Sequence, residues 1–123
     1  HGRALKQQAK FPEARDVLAR VIADPKAYRT ETAAKSQFLI AETYFLQEKW
    51  QEAFLAYQKV YASYAYPEWQ SAALMQSGKC DEQLGHWKEA AATFALLIQE
   101  FPQSPFVEDA RKRQQQAKQR AGL

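Results

Sequence analysis

Three short motifs of one form constrain this chain more than any other feature. An aromatic residue, a variable residue, glutamate and alanine recur as Phe11-Pro12-Glu13-Ala14, Trp50-Gln51-Glu52-Ala53 and Trp87-Lys88-Glu89-Ala90. Their alanines are 39 and 37 residues apart. The apolar pattern that follows also repeats. Leu18, Tyr57 and Phe94 stand four residues past the alanine; Val21, Val60 and Leu97 stand seven past; Ile22, Tyr61 and Ile98 stand eight past. Steps of four, seven and eight fall on one face of an α-helix. The glutamate sits in the first turn, where a negative charge complements the helix dipole. The alanine is small enough for a second helix to approach closely.

That second helix is readable upstream. Ala41 precedes Ala53 by twelve residues, and Gly78 precedes Ala90 by the same interval. Ile40, Tyr44 and Leu74 flank these small residues and are expected to face inward. Each unit therefore reads as an antiparallel helix pair with a small-to-small crossing. Composition agrees: Val, Ile and Thr are scarce, Ala and Gln are common, and Asn is absent. Five prolines act as punctuation. Helices are expected at about 3–9, 12–24, 31–48, 50–64, 67–84, 87–100 and 105–120. Thr30 is the expected cap of the third, and Ser104-Pro105 is expected to open the last. The aromatics around 50–69 are dense, so the middle unit is expected to be the most stable.

The pattern resembles the tetratricopeptide repeat family, whose unit is two antiparallel helices with a small residue in helix A and alanine then an aromatic in helix B. Gly78, Ala90, Phe94 and Pro102 follow that order, and so do Ala41, Tyr44, Ala53 and Tyr57. Asp81 departs from it, standing where the family usually has an aromatic. The resemblance implies an all-α fold: helix-pair repeats stacked as a short right-handed solenoid with a capping helix. The expected divisions are a partial repeat over 1–29, repeats over 30–66 and 67–103, and a cap over 104–123. The chain begins with His1 and its sole methionine is Met75, so it reads as a piece of a longer protein. The segment Phe101-Pro102-Gln103-Ser104-Pro105-Phe106 resembles the junction of a bacterial subclass common in cell-envelope proteins, which implies an envelope or periplasmic setting, with the cytoplasm as the other.

The resemblance implies a non-enzymatic scaffold that binds a peptide or partner helix in the concave groove of its A helices. Lys35, Phe38, Glu42 and Phe45 lie offset from the core stripe of the first A helix. Ala72, Met75, Lys79 and Glu82 do so in the next, and Asp109, Lys112, Arg113 and Gln116 in the terminal helix. Phe38 and Phe45 admit two readings, groove anchor or core. In the terminal helix only Phe106, Val107 and Ala110 are expected to dock, leaving Arg111, Gln114, Gln115 and Lys118 in solvent.

No catalytic, cofactor or metal motif stands out. Cys80 is lone and has no basic neighbour, so it reads as a buried core residue. His86 belongs to no cluster with metal-ligand spacing. The net charge of +3 has one origin: residues 1–102 carry 12 basic and 12 acidic side chains, whereas 103–123 carry 5 and 2. Arg111, Lys112, Arg113, Lys118 and Arg120 thus form a basic cap that could serve an anionic surface or nucleic acid, although the broad basic face of a nucleic-acid binder is missing. A third possibility is a structural spacer or self-association unit. The partial first repeat would leave apolar surface at the N-terminal end of the array, a candidate homodimer face.

Overall fold

The computed structural model describes the backbone of residues 2–24, 26 and 30–123, and the side chains of 10–24, 26 and 30–123. Six helices follow one another: α1 (Gly2–Ala23), α2 (Glu31–Leu46), α3 (Trp50–Ser63), α4 (Pro67–Gln83), α5 (Trp87–Glu100) and α6 (Val107–Ala121). No strand occurs among the described residues. None of their helices is long and apolar enough to cross a membrane. Each helix packs on its neighbours in sequence, and α2 also touches α4. The architecture is an all-α stack of helix pairs, α2–α3 and α4–α5, flanked by α1 and α6.

Local chemistry sets most boundaries. The Thr30 hydroxyl accepts the Ala33 N–H at 3.2 Å and caps α2. Pro67 opens α4, where its missing N–H costs nothing. Both intra-pair turns use one device. Glu48 and Gly85 take φ of 61° and 74°. The next amide, of Lys49 or His86, then bonds back to Tyr44 or Asp81 at 2.9 and 2.8 Å. A left-handed conformation suits Gly85 but costs Glu48 about 1–2 kcal/mol. These turns end α2 and α4 slightly before the expected positions.

Two expectations about the ends need correction. The first segment is one continuous helix with Pro12 inside it, not two helices divided near residue 10. The proline removes one main-chain bond, at about 3 kcal/mol. Ala14 on this helix is exposed, whereas Ala53 and Ala90 are wholly buried, so it marks no close crossing among the described residues. Instead α1 grips α2 through Arg15. Its guanidinium lies 4.1 Å from the Tyr44 ring centroid and donates to Gln47 Oε1 at 2.6 Å. At the other end, Ser104–Phe106 form a turn in which Ser104 Oγ accepts the Phe106 N–H at 3.2 Å, so α6 starts at Val107. The cap also docks along more of its length than expected. Ala117, two turns past Ala110, is wholly buried.

The core lies along the A–B crossings. Tyr57, Val60, Leu74, Cys80, Ala90, Phe94 and Leu97 are fully buried. Trp69 packs against the α2–α3 cluster and against Ala33, Ala34 and Tyr64. Tyr61 of α3 packs against the α4–α6 cluster. Successive pairs therefore share their apolar surface, each large side chain contributing about 1.5–3 kcal/mol on burial.

Gly78 shows how tight a crossing is. A Cβ added there would sit 2.4 Å from Phe94 Cε1 and 2.5 Å from Cζ. The glycine accommodates the phenylalanine ring four residues past the tetrad alanine. We expect Gly78→Ala to lower stability by about 1–3 kcal/mol despite alanine's better helix propensity. A Phe94→Leu change in the same chain should recover part of that loss. Chemical denaturation of the two single variants and the double variant checks this, and strictly additive losses would contradict the contact.

Candidate partner-binding groove

The helices α2, α4 and α6 occupy equivalent places in the stack, and their side chains are tied to one another. Glu42 of α2 accepts a hydrogen bond from Tyr57 of α3 and another from Gln76 Nε2 of α4 at 3.1 Å. Burial and then Glu42 push the Tyr57 hydroxyl well above its ordinary pKa, so it remains a donor. One repeat further on, Arg113 of α6 donates to Glu82 Oε1 of α4 at 2.6 Å and to Asp109 Oδ2 at 3.4 Å. The Glu82 side chain is only 12 % exposed, which makes this a charge-assisted bond in partly desolvated surroundings.

The expected groove residues are thus sorted. Lys35, Asp109, Lys112 and Gln116 are exposed; Glu42, Ala72, Lys79, Glu82 and Arg113 are half-buried. Met75 is a correction: it is 2 % exposed and belongs to the core of α4–α6. Its neighbour Gln76 carries the polar link. Phe38 and Phe45 are half-buried against the core. The Phe38 ring lies 5.4 Å from Tyr57 and 5.5 Å from Trp69. Phe45 meets Trp50 edge-on at 5.0 Å and Tyr57 at 6.3 Å.

A cavity of about 750 Å³ opens between Phe38 in the middle of α2, the N-terminal turns of α4 and the α5–α6 junction. Phe38, Trp69, Phe101 and Phe106 line it, together with Pro67, Pro102 and Pro105. The Trp69 indole N–H donates to Glu31 at 3.3 Å, which fixes the ring in the wall. The sequence signal for this site was the paired Phe-Pro and Pro-Phe steps of 101–106, read above only as a junction. Nothing local tied them to Phe38 or Trp69.

The basic cap is partly engaged. Besides Arg113, Arg111 reaches Glu108 at 3.4 Å, and Arg120 stacks over Trp87 at 4.9 Å. Cys80 is buried as expected. Desolvation, with help from Asp81 and Glu42, pushes its thiol up to about 12, which leaves it protonated and unreactive at neutral pH. No group of three metal-ligating side chains occurs among the described residues.

Asp81, the residue that departed from the family pattern, is 3 % exposed. The Thr93 hydroxyl lies 3.3 Å from its carboxylate, and His86 Nδ1 lies 4.0 Å away. It thus links α4 to α5 by a polar contact. Burial raises its pKa from 3.8 to about 6, and Thr93 and His86 only partly offset this. A raised carboxyl pKa means the folded chain binds a proton more tightly than the unfolded chain. Stability from this group is therefore greatest below about pH 4 and falls as pH rises through 6, by on the order of 2–3 kcal/mol. Asp81→Asn keeps an acceptor for Thr93 and removes the charge. We expect it to melt above the wild type at pH 7, with the gap closing towards pH 4. A gap independent of pH would contradict the assignment.

A family model described as tetratricopeptide repeat matches residues 35–65 and 72–104. A search of the curated proteins returned no match.

Proposed function

Because this chain belongs to the tetratricopeptide repeat family, we propose that it is a protein-interaction module that binds a segment of a partner protein along its A helices. Repeats of this family generally mediate protein–protein interaction. The observation that carries the reading here is the cavity where Phe38, Ala72 and Phe106, from two A helices and the lead-in to the third, converge on one space. An apolar concavity of this size suits one or two large side chains of a peptide. The links Glu42–Gln76 and Glu82–Arg113 hold the neighbouring A helices at fixed separation. A bound segment then meets a preorganised surface and loses less free energy to ordering it. This role requires no catalytic group.

Peptides selected from a random display library against the chain provide the test. Titration of a selected peptide should shift backbone amides of α2, α4 and the 101–106 turn. A footprint on the outer surfaces of α3 and α5, around Leu55 and Lys88, would contradict the reading.

A further inference from the structure

The cavity's charge is one-sided, and this specifies what it takes. The charged residues that line it are Glu68 and Glu100, and no lysine, arginine or histidine is among its described lining residues. The surrounding chain reinforces this. Residues 60–78 and 89–110 contain no Lys, Arg or His, but they include Glu68, Glu89, Glu100, Glu108 and Asp109. Glu31 adds a third carboxylate beside the wall, holding the Trp69 indole. Glu100 is anchored by the Tyr61 hydroxyl, which donates to it; that bond and partial burial push the Tyr61 pKa up to about 12. The Glu100 carboxylate is exposed, and its remaining lone pairs can accept from a ligand. The wall between the carboxylates is aromatic: Phe38, Trp69, Phe101 and Phe106.

We propose that this cavity docks a partner segment carrying a large apolar side chain next to lysine or arginine. The apolar group fills the aromatic wall, and the cation sits between Glu68 and Glu100. Aromatic faces also attract cations, so Trp69 works in the same direction as the two carboxylates. An acidic or phosphorylated segment would place like charges together and lose affinity. This proposal rests on the interaction role above and adds the sign of the partner's charge.

The test uses three labelled short peptides in a glycine-serine host. One carries a Leu-Trp pair flanked by lysines, one the same pair flanked by glutamates, and one lysines flanking serines. Fluorescence anisotropy gives each Kd at low and high salt, and amide shifts locate each site. The lysine-flanked Leu-Trp peptide should bind roughly tenfold tighter than its glutamate twin, an advantage that shrinks with salt. The peptide lacking Leu-Trp should bind more weakly still. In the Glu68→Gln/Glu100→Gln variant the preference should largely vanish while Tm stays near wild type; glutamine retains an acceptor for Tyr61. Equal or stronger binding of the glutamate peptide, with shifts still at Trp69 and Ala72, would overturn the charge assignment and leave the interaction role standing. Shifts confined to the outer face of α3 and α5 would overturn both. No binding of the lysine peptide at millimolar concentration, or a dimer that the double variant dissociates, would also overturn the proposal, the latter in favour of a second copy as occupant.

Discussion

The structure depends on how closely an A helix can approach its B helix. Gly78 has no side chain, and the Phe94 ring occupies the space a Cβ would need. The equivalent position in the preceding pair is Ala41, with Tyr57 as the buried ring. Where the small residue is present, the aromatic of the B helix is sealed from water, and its burial offsets the ordering of two helices that would be marginal alone. The tetrad alanines, Ala53 and Ala90, are wholly buried in the same way. At Ala14, where no close crossing forms among the described residues, the same tetrad carries an exposed alanine, and Arg15 beside it reaches across to α2.

Pair-to-pair order follows from a second set of contacts. Tyr61 and Trp69 pack between clusters, while Glu42–Gln76 and Glu82–Arg113 connect the A helices at the surface. The polar links contribute modestly to stability, since each exchanges water contacts for protein contacts. Their larger effect is geometric. They hold the A helices in register, and this register brings Phe38, Trp69 and Phe106 around one cavity. Structure and proposed function therefore share a cause: the stack that buries the core also shapes the concavity.

Much of the fold was legible because the repeat writes the same physics more than once. Twelve residues between Ala41 and Ala53, and between Gly78 and Ala90, encode a helix, a tight turn and a return. The resemblance to the family rests on this pattern, and the family model matches the two repeats that contain it. Less was legible at the site. A helical stripe read from sequence is blurred by about one residue, or roughly 100° of rotation, so the spacing points to Met75 while Gln76 holds the surface position. The burial of Ala117 is hard to read because residues 111–116 between it and Ala110 are all polar, and its heptad spacing from Ala110 is the trace it leaves. The cavity joins α2, α4 and the 101–106 turn, and no local pattern reports a space bounded by three distant segments. Asp81 looked like a family departure, but only the position of Thr93 shows what the carboxylate does.

The two helix pairs form one cooperative body held by their crossings. Native-state amide hydrogen exchange tests it directly. The amides of 53–60, 74–80 and 90–97 should exchange through a common opening, with one free energy close to that of global unfolding. Separate free energies for α2–α3 and α4–α5, with one pair opening while the other stays protected, would contradict it.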